Sequence, residues 1–224
     1  MKILELFSGS RSIGKVAEKY GMEVFSVDNT PYPNTNYVGD ILDFNYFATE
    51  IPNFLWASPP CTSFSVASIS KHWIKGEKFM PKTEQAQLGI KILEKTIEII
   101  KYYLELNPNL LWFIENPRGK MRKYGWENLP FDFKRETVMY CQYGDNRMKP
   151  TDLWTNTDFI GKKCSNYKYD SDGNIINRHC HHDSAQRGSV TGTQGLKGNH
   201  ERSKIPTLLC EEVIKCLISN HKQK

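Results

Sequence analysis

Cys61 stands in Ala57-Ser58-Pro59-Pro60-Cys61-Thr62-Ser63-Phe64-Ser65, directly after the apolar run Phe54-Leu55-Trp56. That run reads as a short buried strand. Two prolines cannot extend a sheet ladder, so the strand stops there and delivers the thiol into a loop. A thiol at a strand end, followed by small hydroxyl residues, is placed to attack a molecule entering a cleft. On this segment alone, a Pro-Pro turn beside an ordinary buried cysteine is the plainer reading. Glu115 is the second residue with chemical potential. It closes the buried run 110–114 and leads into Asn116-Pro117-Arg118-Gly119. A carboxyl at the C-terminal end of a central strand lies where open α/β sheets place their ligands. Taken alone, an acid salt-bridged to Arg118 is an equal alternative.

The elements that must carry these two residues form an α/β pattern. Residues 2–7 read as a strand, followed by Ser8-Gly9-Ser10-Arg11-Ser12-Ile13-Gly14 and a helix to about Tyr20, which Gly21 ends as a C-cap would. A second strand, 23–27, terminates in Asp28-Asn29. This βαβ opening suits an adenosine-type ligand, with the acid accepting hydrogen bonds from ribose hydroxyls. Its glycines do not match the dinucleotide fingerprint, and any α/β protein with a polar first turn would look similar. Tyr37-Val38-Gly39-Asp40-Ile41 is another strand end bearing an acid. Residues 62–82, with Lys71, His72, Trp73, Lys75 and Lys78, form a long irregular stretch: a lid able to close over nucleic acid, or equally a solvated surface loop.

The clearest helix spans 83–106, where Ala86, Ile90, Leu93, Ile97, Ile100 and Leu104 recur on one face and serve as core. Asn107-Pro108 stops it. Residues 136–142 and 152–155 read as strands joined by a short connection, 143–150. An antiparallel hairpin follows, so a mostly parallel sheet gains an antiparallel member near its end. Pro206 opens a final amphipathic helix with Leu209, Val213, Cys216 and Leu217 on one face.

At 224 residues the chain suffices for one substantial core and a small appendage. It holds no apolar run long enough to span a membrane, and its first residues lack a signal peptide's features, so a cytoplasmic protein is expected. Six cysteines form no regular disulfide framework; in a reducing compartment they are free, catalytic or metal-bound. The net charge of +5 permits a polyanionic partner without requiring one.

In order along the chain, Leu4-Glu-Leu-Phe-Ser-Gly9, Asp28, Gly39-Asp40-Ile41, Pro59-Pro60-Cys61 with Phe64-Ser65, Glu115-Asn116 and Glu201-Arg-Ser-Lys-Ile-Pro206 resemble the motifs of the DNA cytosine-5 methyltransferases. The resemblance implies a Rossmann-like, S-adenosylmethionine-dependent methyltransferase fold. The catalytic domain would comprise 1–156 and 200–224, interrupted by a loop-rich insert, 157–199. It implies that Phe7, Ser8 and Gly9 line the cofactor pocket, that Asp28 holds the ribose, that Asp40 and Ile41 contact the adenine, and that Ser203 and Ile205 complete the site. Cys61 and Glu115 would be catalytic. Pro60, Ser65 and Asn116 would contact the substrate, with Arg147 or Lys149 holding base or phosphate. The partner would be double-stranded DNA whose target cytosine is flipped out of the helix.

The implied chemistry explains the residue types. Carbon 5 of cytosine is a poor nucleophile until a soft thiolate adds at carbon 6. A carboxyl with a raised pKa can then protonate N3. Three departures from the family pattern stand out: Arg11 and Ser12 replace loop glycines, Asn146-Arg147-Met148-Lys149 replaces a glutamine-arginine-arginine run, and Pro117 replaces valine. Competing readings are the same chemistry on RNA and a non-catalytic nucleic-acid-binding relative. A pure binder needs neither Cys61 nor Glu115. An amino-methyltransferase would carry an aromatic residue after Pro-Pro.

Residues 158–204 are polar and glycine-rich, too poor in apolar residues for a core of their own. Few side chains there can read base edges, so a short target context is expected, with phosphate contacts from Lys162, Lys163, Arg187 and Lys197. Cys164 and His179-Cys180-His181-His182 could tie down a zinc ion, but the spacing lacks paired knuckles, and no metal is assigned.

Overall fold

The computed structural model describes residues 1–164, 196 and 198–223. Its strands are β1 (Lys2–Leu6), β2 (Glu23–Asp28), β3 (Tyr37–Val38), β4 (Phe54–Ala57), β5 (Leu111–Pro117), β6 (Lys134–Met139) and β7 (Pro150–Thr155). The helices are α1 (Ser12–Lys19), α2 (Ile69–His72), α3 (Glu84–Leu106), α4 (Asn199–Ser203) and α5 (Thr207–Gln223). The strands form one sheet in the order β3-β2-β1-β4-β5-β7-β6. β1 through β5 are parallel, and β7 runs antiparallel to both β5 and β6. The expected α/β fold, mostly parallel with an antiparallel strand near its end, is the one observed.

Strand alternation sends successive side chains to opposite faces. Leu4, Leu6, Leu55, Trp112 and Ile114 pack with Leu93, Ile97 and Ile100 of α3. Ile3, Phe54, Trp56, Leu111 and Phe113 pack instead with Ile13 and Val16 of α1 and with Leu209, Val213 and Ile214 of α5. The sheet is therefore covered on both sides, as parallel strands require. α3 begins where the Thr83 hydroxyl accepts a hydrogen bond from the Ala86 amide at 3.3 Å. Its buried stripe is wider than the sequence spacing suggests, because Ile99 and Tyr103 are also fully buried.

The strand order turns between β1 and β4, and the crevice beyond their C-terminal ends is where such sheets bind ligands. The register pairs Leu6 with Ala57 and Ala57 with Ile114, so the loops after β1, β4 and β5 leave the sheet side by side.

The stretch read as a lid is pinned more firmly than its composition suggests. Phe64 and Trp73 are buried, and with Phe79 and Tyr124 they form an aromatic cluster beneath it. Residues 157–164 pack onto the core through Phe159 and Cys164. Residues 165–195, including His179, Cys180, His181, His182 and Arg187, lie outside the described residues, as does Lys197. Among the described residues, no helix is long and apolar enough to cross a membrane.

Candidate active site

A cavity of about 870 Å³ opens over the C-terminal ends of β1, β2, β4 and β5. Phe7, Ser8, Gly9, Asp28, Asp40, Ile41, Pro60, Cys61, Ser65, Glu115, Arg147, Lys149, Ser203 and Ile205 all line it. Residues spread over two hundred positions of sequence thus share one space.

At the β1–β2 end the chain turns sharply after Leu6. Phe7 and Gly9 have φ of 58° and 49°, in the region that L side chains avoid. The Gly9 amide donates to Asp28 Oδ2 at 2.8 Å and the Thr30 amide to Asp28 Oδ1 at 2.9 Å. Each carboxylate oxygen keeps a lone pair for a ligand. Asp40 is exposed and accepts from the Leu42 amide, whereas Ile41 is buried. Ser203 and Ile205 close this end, the Ile205 amide donating to Ser12 Oγ at 3.3 Å. Ser8 Oγ is buried on the cavity wall with no hydrogen-bond partner. A buried hydroxyl without a partner is costly, and a polar ligand would satisfy it. A ligand with vicinal hydroxyls could donate to Asp28, and a polar group on it could meet Ser8.

Beneath the loop lies a network that the sequence reading missed. Arg11, where the resemblance expects glycine, indeed takes a positive φ of 53°. Its buried guanidinium bonds Ser26 Oγ at 3.0 Å and Glu18 Oε1 at 2.5 Å. Glu5 accepts from the Gly14 amide and from Ser26 Oγ. Burial raises the Glu5 pKa to about 7, against the pull of these bonds and of Arg11.

At the β4–β5 end the site is made of ionisable groups, Glu115 and Lys149 buried and Cys61 half-buried. Burial, then the charge of Glu115, pushes the Cys61 thiol up; Lys149 and Arg202 oppose this. Burial likewise raises Glu115, opposed by Lys149 and by hydrogen bonds from Ser58 and Tyr140. The Tyr140 hydroxyl donates to Glu115 Oε1 at 3.3 Å. Lys149 is buried and its ammonium is thereby pushed down, with Glu115 and Cys61 opposing. That ammonium lies 4.6 Å from the Tyr140 ring centre and donates to the Arg202 carbonyl at 2.9 Å. Ser58 also accepts from the Trp56 indole at 2.8 Å. Ser58 and Tyr140 escaped sequence reading because a serine beside proline and a tyrosine in an expected strand carry no chemical signal of their own.

Two substrate assignments separate on geometry. Arg147 is held by Asp145, with Nη2 at 2.6 Å from Oδ2, and by the carbonyls of Arg202 and Lys204. It staples the hairpin to the segment carrying Ser203 and Ile205, which leaves Lys149 facing Cys61 and Glu115. Asn116 does not line the cavity with the others. It is wholly buried behind the nucleophile loop, where its amide donates to the Pro59 carbonyl at 2.8 Å. Pleating explains the difference: adjacent residues of β5 point to opposite faces, so Glu115 and Asn116 cannot both face the cavity. Ser65 lines it while its amide donates to the Cys61 carbonyl at 2.9 Å.

Cys164 is buried, its amide directed at Met139 Sδ. Among the described residues, no group of three or more His, Cys, Asp or Glu side chains could hold a metal ion. Lys162 is paired with Glu212.

No family model matches the chain. It is 34% identical over 173 residues to a probable DNA (cytosine-5)-methyltransferase of Frog virus 3 (isolate Goorha), covering 74% of this chain and 75% of that protein. Among solved structures, it resembles the Entamoeba histolytica methyltransferase EhMeth at a TM-score of 0.50 and 13% identity, over 73% of this chain. A putative DNA modification methyltransferase encoded within an E. coli prophage aligns at 0.47 and 15% identity, over 72% of this chain. The chain spans 57% and 51% of the lengths of those two proteins. The likeness to EhMeth concerns the fold alone.

Proposed function

Since the chain belongs to the DNA (cytosine-5)-methyltransferase family, we propose that it methylates carbon 5 of cytosine in DNA, using S-adenosylmethionine and a covalent bond from Cys61. The observation that carries this reading is the sharing of one cavity by the Cys61 thiol, the Glu115 carboxyl, the Asp28 carboxylate and the unpartnered Ser8 hydroxyl. A reactive pair at one end meets a nucleoside-shaped set of donors and acceptors at the other.

The cofactor would be held by Phe7, Ser8 and Gly9 of the first loop, by Asp28 and Asp40 with Ile41, and by Ser203 and Ile205. S-adenosylmethionine supplies an electrophilic methyl group. Cys61 loses its proton and its sulfur forms a bond to carbon 6 of the flipped base. Electrons move from the C5–C6 double bond through the ring, and Glu115 donates its proton to N3, which keeps negative charge from accumulating. Lys149 offsets negative charge at Cys61 and Glu115 while the thiolate forms. Carbon 5 is then nucleophilic. Once it carries the methyl group, its proton passes to water and the freed electron pair re-forms the C5–C6 double bond. The C6–S pair leaves with Cys61 as thiolate, and N3 returns its proton to the Glu115 carboxylate, which restores the aromatic ring. The raised pKa of Glu115 suits an acid that must arrive protonated near neutral pH.

The target is proposed to be a cytosine in a short sequence context, because the stretch between the hairpin and α4 is polar and glycine-rich. The test is incubation with cofactor and either DNA or RNA, followed by bisulfite sequencing. Methylated cytosines in DNA sharing only one or two neighbours are expected. Modification of RNA alone would overturn the substrate, and a strict palindrome of about six base pairs would overturn the short context.

A further inference from the structure

Tyr140 opens the 3₁₀ turn Tyr140–Tyr143 after β6 and is fully buried. Its hydroxyl donates to Glu115 Oε1, and the Lys149 ammonium and the Arg147 guanidinium carbon lie 4.6 and 5.8 Å from its ring centre. Building on the methyl-transfer reading above, we propose that Tyr140 is a positioning residue for that reaction: its phenol orients the Glu115 carboxyl, and its ring face holds the Lys149 ammonium beside Glu115 and Cys61. A buried tyrosine ordinarily finds a hydrogen-bond partner for stability alone. Tyr140 is distinguished by what its two ends hold.

Tyr143, three residues on, makes the same arrangement nearer the surface. Its hydroxyl donates to Glu212 Oε1 at 3.2 Å, and Lys162 Nζ lies 5.2 Å from its ring centre. Glu212 and Lys162 both reach water, which can stand in for the phenol. Glu115 and Lys149 are buried, so no solvent takes over there. The hairpin fixes Tyr140 in place. Its amide donates to the Met148 carbonyl at 2.9 Å, and the Asp145 amide donates to its carbonyl at 3.2 Å. β7 pairs with both neighbours, Leu153 with Glu115 and Pro150 with Met139, which brings the end of β6 to the acid.

At 3.3 Å the phenol bond is long for O–H···O. It tightens as Glu115 gives its proton to N3, because bonds to an ionised carboxylate are shorter and stronger. The phenol therefore favours the proton transfer over the resting acid. Its donation engages Oε1 as an acceptor, which leaves Oε2 to carry the transferable proton. The ring face attracts the buried ammonium without neutralising it, so Lys149 keeps its charge for the thiolate. Also facing Glu115 are Cys61 and Ser58 from the loop after β4, Asp152 of β7 and Cys210 of α5. None of these, nor Lys149, is replaced in the test.

The test compares wild type, Tyr140→Phe and Tyr143→Phe on a methylated duplex, and repeats Tyr140→Phe in the Glu115→Gln background. Tyr140→Phe keeps the ring and loses only the hydroxyl. It is expected to lower kcat about tenfold, with KM for DNA within about twofold of wild type. The alkaline limb of its kcat–pH profile should move up by about one unit, because the lost bond favours the ionised carboxyl. That limb does not depend on how much of the protein folds. In Glu115→Gln the same substitution should change kcat by less than about twofold, since no acid proton remains to be positioned. Tyr143→Phe should leave kcat and the limb unchanged. An unmoved limb, an undiminished loss in the Glu115→Gln background, or the same shift from Tyr143→Phe overturns the positioning role. Wild-type protein that methylates no cytosine in DNA overturns the reading on which it rests, a result distinct from these.

Discussion

The two ends of the cavity are held by opposite means. At the β1–β2 end, Asp28, Glu5 and Arg11 are tied by hydrogen bonds to backbone amides and neighbouring side chains. At the β4–β5 end, Glu115 and Lys149 are buried and Cys61 is half-buried, and burial shifts the thiol and the acid up and the ammonium down. In the proposed reaction the first arrangement would fix where the cofactor sits, and the second would let a thiol, an acid and an ammonium change protonation when a base arrives. Hydrogen bonds to backbone amides mark the first end and a thiol beside a buried acid and ammonium the second, so substitutions at the two ends should fail in different ways.

Cys61→Ser should give the largest effect. A hydroxyl is far less ionised and less polarisable than a thiol, so methyl transfer should fall on the order of 10³-fold or more. Cofactor affinity by calorimetry should stay within about threefold, since the cofactor contacts lie at the other end. Loss of both together would show that the ends are not separable.

Glu115→Gln should cost roughly a hundredfold in turnover, the scale of a lost acid, with cofactor affinity retained. The pH profile gives a sharper reading. In wild type, the rate should rise with pH as Cys61 deprotonates and fall again as Glu115, raised by burial, ionises. The amide variant should lack the alkaline fall. A variant with the wild-type rate and profile would make Glu115 structural.

The smallest effect tests Glu5, the buried acid within the hydrogen-bonded end. Its folded pKa of about 7 exceeds the ordinary carboxyl value of 4.5. Between those values the folded protein holds a proton that the unfolded chain has released, so stability falls as pH rises from about 4.5 to about 7 and is then level. The total is on the order of 3 kcal/mol. Glu5→Gln, whose amide mimics the protonated acid, should remove this fall, so the thermal melts of the two proteins separate as pH rises, the variant becoming the more stable. Parallel melting curves across that window would contradict the assignment.

Much of this arrangement was legible in the sequence. Apolar runs ending in Pro59-Pro60 and Glu115 located β4 and β5, and the spacing of Leu93, Ile97 and Ile100 located α3. Those signals survive because burial periodicity and proline chemistry are local. What escaped was cooperative. Arg11 at a glycine-like φ makes sense only once Ser26 and Glu18 surround it, and Tyr140 gains meaning only when β7 brings it beside Glu115. The stretch 62–82 looked irregular because its order comes from Phe64, Trp73 and Phe79 meeting Tyr124, far along the chain. Asn116 was grouped with its neighbour Glu115, although strand pleating turns the two apart.

The central claim is the covalent bond from Cys61 to the base. A duplex bearing 5-fluorocytosine at a position the protein methylates, incubated with S-adenosylmethionine, tests it most directly. Fluorine cannot leave carbon 5 as a cation, so elimination is blocked and the adduct persists. Denaturing mass spectrometry should find one protein–DNA adduct carrying an added methyl group, attached through the Cys61 peptide and absent from Cys61→Ala. No adduct on a duplex whose cytosine form is methylated, or an adduct through another residue, would contradict the account.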